Sequence, residues 1–220
     1  MPCRDVEFKT SDQLTLRGWF FTPSSFSGKL PCLVMAHGFA AHKEYSLANF
    51  AEYFTSNLPV AVLVYDHRCL GASDGEPRRE IIPFLQISDY SEAITFAQLQ
   101  PEIDAGNIAI WGSSYSGGHV LTVGAVDRRV KAVISQVLEA FRAYEPSAFV
   151  ERICPTPLLM VVMDNDVVTP TDLALGAFAR AKEPKQLHML PGGHFDPYDG
   201  HLFDENAPVQ VKFLKDHLLK

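Results

Sequence analysis

The sequence predicts an α/β protein: a mostly parallel central sheet, an antiparallel hairpin at its N-terminal end, and helices on both faces. Three observations predict it. The first stretch alternates with period two: Val6 and Phe8, then, across the break Ser11-Asp12-Gln13, Leu14, Leu16, Gly18 and Phe20. That is the pattern of a half-buried hairpin. Beyond it, short apolar runs without alternation take turns with longer stretches at helical spacing. Strands apolar on every residue are buried on both faces, as parallel strands joined by crossover helices are. Finally, 220 residues with 47% hydrophobic and 20% charged content describe one globular domain, 1–220, with ample length for a core.

The elements follow in order. Residues 32–36 form an apolar strand and lead into the loop His37-Gly38-Phe39-Ala40-Ala41. Residues 46–56 are an amphipathic helix with Leu47, Phe50, Ala51 and Phe54 on one face. Residues 60–65 are a buried strand. The Gly- and Asp-rich loop after it is expected to be stiffened by an Asp66–Arg68 pair. Residues 83–99 are a long helix, with Ile87, Tyr90, Ala93, Ile94 and Ala97 on its buried face. A strand ending at Trp111 precedes a turn of small residues and an apolar helix over 119–126. Residues 130–137 and 157–163 are strands. Helices over 171–181 and 209–219 flank the last strand, 186–190.

The turn of small residues carries the chemistry. In Trp111-Gly112-Ser113-Ser114-Tyr115-Ser116-Gly117-Gly118, a buried strand reverses sharply into a helix. The apex, Ser114, is pushed out of the packed layers into a strained position, and small neighbours are needed where strand end and helix start nearly touch. Gly112 lies two residues before Ser114. The fifth position of the usual Gly-x-Ser-x-Gly is Ser116 here, with Gly117 next.

A serine hydroxyl needs a base to take its proton, and the base needs an acid to fix its tautomer. In this arrangement the chain order is serine, acid, histidine. Downstream, the strand 157–163 ends in Asp164-Asn165-Asp166. Carboxylates at the C-terminal end of a parallel strand face the ligand-binding edge of an open sheet. The last strand is followed by Pro191-Gly192-Gly193-His194. Asp166 and His194 are the candidate acid and base, and Asp164 competes for the acid position. His188 reads as a satisfied strand residue. His42, His119, His201 and His217 read as surface or locally hydrogen-bonded residues, and His37 and His67 as structural ones.

Acyl chemistry also needs backbone N–H groups aimed at the developing oxyanion. Tyr115, after the candidate nucleophile, offers one at a helix N-terminus. Phe39, after the turn at Gly38, offers the other.

The net charge of −7, without clustered Lys or Arg, argues against nucleic acid and against an anionic membrane surface. No run approaches the roughly 18–20 apolar residues of a membrane span, and no signal-peptide pattern opens the chain. Cys3, Cys32, Cys69 and Cys154 lack metal-ligand spacing and read as reduced thiols of a cytoplasmic protein. No metal and no cofactor are expected. The oligomeric state stays open.

Taken together, these motifs resemble the α/β-hydrolase superfamily over the full chain. They are His37-Gly38-Phe39, Asp66-His67-Arg68 through Gly75, the Ser114 turn, Asp164-Asn165-Asp166 and Gly193-His194-Phe195. The chain is most similar to dienelactone-hydrolase and X-Pro-peptidase-type members, and within them to fungal polyketide transferases and thiohydrolases. That resemblance implies a Ser-His-Asp enzyme, without a cofactor, acting on a small-molecule ester or thioester acyl group. Members of that group carry a long cap insertion before the acid-bearing strand. Here residues 138–157 leave no room for one, so an α/β-hydrolase fold without a cap domain is expected. An open site admits water and leans towards hydrolysis over transfer. The alternative is a catalytically weak accessory or binding protein on the same fold.

Overall fold

The computed structural model describes residues 2–138 and 145–219. Strands β1 (Cys3–Lys9) and β2 (Thr15–Phe21) form the antiparallel hairpin, with Val6 opposite Gly18 and Phe8 opposite Leu16. Then follow β3 (Leu30–Ala36), α1 (Leu47–Asn57), β4 (Ala61–Tyr65), α2 (Pro83–Gln98), β5 (Ile103–Ser114) and α3 (Tyr115–Val126). Strands β6 (Val130–Leu138), β7 (Leu158–Met163) and β8 (Lys185–Leu190) complete the sheet, with α4 (Thr171–Arg180) between β7 and β8 and α5 (Gly200–Leu218) after it. The sheet order is β1-β2-β4-β3-β5-β6-β7-β8. β2 joins β4 antiparallel, and every pairing from β4 to β8 is parallel. The mostly parallel sheet with an N-terminal hairpin is therefore the observed one.

The period-two geometry of strands sorts the core into two layers. Val34, Leu63 and Ile110 pack with Tyr90 and Ile94 of α2 and Val120 and Leu121 of α3. Leu33, Met35, Val64 and Trp111 pack on the other face with Phe50 and Phe54 of α1 and Phe213 and Leu214 of α5. Each such fully buried side chain stabilises the fold by roughly 1.5–3 kcal/mol. Because helices cover both faces, only the two ends of the sheet are left for binding, and the loops after β3, β5, β7 and β8 share one end.

Three elements differ from expectation. β5 continues past Trp111 through Gly112 and Ser113 to Ser114. α3 begins at Tyr115, since the small residues of the turn themselves form its first turn. α5 begins at Gly200, nine residues before the predicted start, and carries Pro208 in its interior. A buried polar chain holds that first half. Trp111 Nε1 donates to Gln210 Oε1 (2.7 Å), Gln210 Nε2 donates to Gln136 Oε1 (2.6 Å), and Asn206 Nδ2 donates to Gln136 Oε1 (3.1 Å).

The expected Asp66–Arg68 pair is not made. The chain turns there, Leu70 N–H donating to His67 O at 3.1 Å, and the two side chains go to different neighbours. Asp66 accepts from the backbone N–H (2.7 Å) and Nζ (2.8 Å) of Lys43. Arg68 makes a bidentate pair with Asp89 of α2 (2.8 and 2.6 Å). All four residues are buried, so these are interior pairs that pin two loops to the sheet, not the exposed loop pair expected.

Between β6 and β7 the described residues hold only the 3-10 turn Pro146–Arg152, and no cap stands there. Part of the segment on which the missing cap was read, residues 139–144, lies outside the described residues. Among the described residues no helix is long and apolar enough to cross a membrane.

Candidate active site

Ser114 ends β5 and opens α3 with φ 53° and ψ −116°. A non-glycine residue there is strained, at a cost of order 1–3 kcal/mol, and persists only where its surroundings over-determine it. They do so here. A Cβ on Gly112 would lie 2.0 Å from the backbone oxygen of Ser116, and one on Gly117 would lie 2.8 Å from that of Val137. Both positions must be glycine for strand end, helix start and β6 to meet.

Three of the candidate residues come together. His194 Nε2 lies 2.9 Å from Ser114 Oγ, and His194 Nδ1 lies 2.8 Å from Asp166 Oδ2. A carboxylate only accepts, so the Nδ1 proton belongs to that bond and the Nε2 lone pair faces the Ser114 hydroxyl. Asp166 is itself anchored: Oδ1 accepts from Val168 N–H (2.9 Å) and Thr169 N–H (2.8 Å), and Oδ2 accepts from the Thr169 hydroxyl (2.5 Å). Burial pushes the Asp166 carboxyl up, but the hydrogen bonds from Thr169 and His194 outweigh it and hold the group below its usual range.

Asp164 takes a different place. Its Oδ1 accepts from Gly192 N–H at 2.9 Å, while Asp196 Oδ2 accepts from Gly193 N–H at 2.7 Å. The two carboxylates brace the turn that carries His194. Ser114, Asp166 and His194 are 7%, 6% and 5% exposed. Ser114 and His194 stand on the wall of a cavity of about 580 Å³. Its other walls include Phe39, Tyr45, Val168 and Phe195, whose side chains are otherwise open to solvent. A site of this size and apolar character suits a small organic ligand.

Of the two candidate oxyanion residues, Phe39 stands on the cavity wall and Tyr115 directly follows Ser114 at the start of α3. Their rings meet edge-on at 5.5 Å. Gly38 lies so close that a Cβ there would be 2.7 Å from Ser114 Cβ and 3.2 Å from its Oγ.

Behind the site lie three buried histidines, His37, His67 and His119. Their rings meet edge-on, His37–His67 at 4.9 Å and His67–His119 at 5.6 Å. His119, expected as a surface or locally bonded residue, is fully buried, with Nε2 2.9 Å from Gln86 Oε1. Burial lowers the pKa of all three, that of His119 to about 3. His188, expected to be satisfied, keeps a buried Nε2 without a hydrogen-bond partner. The signal for a buried His119 was its place on an otherwise apolar helix.

Comparison with known proteins gives the family. Residues 12–149 match the family described as X-Pro dipeptidyl-peptidase (S15 family). The chain belongs to this family of α/β hydrolases. Among its relatives, a thiohydrolase of Eupenicillium brefeldianum is 29% identical over 294 residues, covering 97% of this chain and 94% of the relative. The polyketide transferase GrgF of a Penicillium species is 30% identical over 292 residues, covering 99% and 98%. Both alignments are longer than the 220-residue chain, so each of these relatives has residues for which this chain has no counterpart. The crystal structure of the α/β hydrolase GrgF from Penicillium sp. sh18 superposes with a TM-score of 0.92 over the whole of both chains, at 28% identity.

Proposed function

We propose that this chain is a serine-type hydrolase or acyl transferase acting on the ester or thioester of a small-molecule acyl group, and that the acyl group is of polyketide type. The relay Ser114–His194–Asp166 on the wall of an apolar cavity carries the reading. The names of the thiohydrolase and polyketide transferase relatives support the substrate class.

Ser114 Oγ attacks the carbonyl carbon as His194 Nε2 takes its proton. Asp166 keeps the other ring proton on Nδ1 and stabilises the imidazolium. The N–H groups of Phe39 and Tyr115 receive the oxyanion. One such donor is worth roughly 2.7–4 kcal/mol in the transition state. Collapse of the tetrahedral intermediate breaks the C–O or C–S bond, and His194 returns the proton to the departing alcohol or thiol. Water, or another nucleophile in a transferase, then resolves the acyl-enzyme by the same steps. The open site favours water.

A fluorophosphonate probe is expected to label the wild-type protein on Ser114, with labelling abolished in Ser114→Ala and His194→Ala. Equal labelling of wild type and Ser114→Ala would refute the assignment.

A further inference from the structure

The departure at the fifth position of the turn, Ser116 for glycine, has a structural consequence. Ser116 is fully buried, and its Oγ lies 2.6 Å from His37 O and 2.7 Å from His67 Nε2. His67 N–H donates to His37 Nε2 at 3.2 Å, and His37 Nδ1 lies 3.0 Å from Gly38 O. Three of these contacts close a ring of bonds, and the fourth is a branch to Gly38. It joins the loops after β3 and β4 to the start of α3.

Proton counting assigns every position. A backbone N–H can only donate, so His37 Nε2 accepts and the His37 proton sits on Nδ1, directed to Gly38 O. His37 O can only accept, so the single Ser116 proton goes there. His67 must then donate to Ser116 through Nε2–H, leaving Nδ1 bare. His67 Nδ1 is indeed a buried atom without a hydrogen-bond partner. The ring needs both imidazoles neutral, and burial holds both below the ordinary histidine range.

The Gly38 carbonyl that His37 holds belongs to the same peptide unit as the Phe39 N–H. None of the cis bonds in the chain falls there, and in a planar trans peptide C=O and N–H point in opposite directions. Holding Gly38 O therefore aims Phe39 N–H. Ser116 holds His37 O, the carbonyl of the preceding peptide, so both units flanking Gly38 are pinned from behind.

We propose that Ser116 and His67, acting through His37, are positioning residues that aim the Phe39 oxyanion donor at the carbonyl bound over Ser114. This rests on the assignment of Ser114 as nucleophile and Phe39 as donor made above. A glycine at position 116 supplies no hydroxyl, so a chain with the usual motif cannot close this ring.

The test is a set of variants assayed with p-nitrophenyl acetate. Two inhibitors are added: phenylboronic acid, which forms a tetrahedral adduct on the serine, and benzamide, which stays planar. Losing an oxyanion donor outright costs about 10²–10³ in rate, and misaiming one is expected to cost about tenfold or more. Ser116→Ala and Ser116→Gly should lower kcat by that factor and weaken phenylboronic acid in proportion. Benzamide binding should not change. His67→Leu should behave alike, and His67→Gln, which keeps an N–H for Ser116, should recover part of the loss. Thr122→Ala, on the same helix and remote from the ring, should keep wild-type kinetics and serves as the stability control.

Wild-type kcat in Ser116→Ala would overturn the proposal. So would equal weakening of benzamide and phenylboronic acid, the mark of general disruption. If Ser116→Ala does not fold, His67→Gln and His67→Leu decide, and equal rates in that pair overturn it. Ser114→Ala is run alongside. Dead Ser114→Ala with unchanged Ser116→Ala removes only the ring, whereas active Ser114→Ala removes the nucleophile assignment and the ring with it.

Discussion

Replacing Asp166 by Asn is the sharpest test of the relay, because the surroundings dictate how the amide must sit. Oδ1 of Asp166 accepts two backbone N–H groups, from Val168 and Thr169. The amide oxygen has to stay there, since an NH₂ group in that place would face two donors. The NH₂ group is thereby forced into the Oδ2 position, facing His194 Nδ1. It donates, so Nδ1 must accept and the ring proton moves to Nε2. Nε2 then presents a proton to Ser114 Oγ in place of a lone pair, and no base remains. The same tautomer reversal in serine proteases costs about 10⁴ in kcat, or roughly 5.5 kcal/mol of transition-state stabilisation. Asp164→Asn is the matched control, because an amide oxygen can still accept from Gly192 N–H. Its rate should stay within about threefold of wild type, under ~0.7 kcal/mol. Both variants are measured as kcat/KM on p-nitrophenyl acetate, with Ser114→Ala as the zero and a thermal melt to establish folding. A folded Asp166→Asn retaining more than a tenth of the wild-type rate would refute the reasoning. An equal fall in Asp164→Asn would move the acid to that residue.

Two further outcomes follow from distances and burial. Gly38→Ala puts a Cβ 2.7 Å from Ser114 Cβ, and a displacement of the nucleophile or the loop by a few tenths of an ångström is unavoidable. A fall in kcat/KM of about 10²-fold with a small change in Tm is expected, and unaltered kinetics would contradict the close approach. The three buried histidines make stability fall with acid. A folded-state pKa depressed below the unfolded value near 6.5 means that stability is fully present above that pH and is lost as pH falls through it. For His119, at about 3, moving from pH 7 to pH 5 costs roughly 2 kcal/mol, with His37 and His67 adding in the same direction. Urea unfolding at the two pH values measures this, His119→Gln should remove about one proton's share, and equal midpoints would refute it.

The legible part of the fold was the part set by local pattern. Continuous apolar runs such as Val62-Leu63-Val64 gave the parallel strands, and the alternation at Val6 and Phe8 gave the hairpin. The positions of Ser114, Asp166 and His194 were legible for a related reason: the apolar runs 108–111 and 157–163 mark the strands before Ser114 and Asp166, and the Pro191-Gly192-Gly193 turn marks His194. Partners across long separations were not. Asp66 finds Lys43 and Arg68 finds Asp89, each more than 20 residues away, and no local pattern distinguishes these from the nearer Asp66–Arg68 pair. The start of α5 was missed because what sustains the helix through Pro208 is contact with Trp111 and Gln136, far away in sequence. Ser116 read only as a tolerated small residue, because its role depends on His67, 49 positions earlier.

What holds the candidate site also explains how the chain can do without a cap. Asp166 is fixed by backbone N–H groups of its own turn, and His194 stands on a turn braced by Asp164 and Asp196. Ser114 is fixed by the strained junction of β5 and α3, and the loop of Phe39 by the ring through His67 and Ser116. None of these holding contacts comes from the segment between β6 and β7, where a cap would be inserted. Cap and reaction geometry are therefore separable. Under the proposed function, adding or removing a cap changes what surrounds the acyl group and how readily water reaches the acyl-enzyme, while the described contacts that hold Ser114, His194 and Asp166 come from the sheet edge and the turns that follow it. On the proposed function, a chain of this build keeps its attack on the carbonyl and gives up control over which nucleophile finishes the reaction.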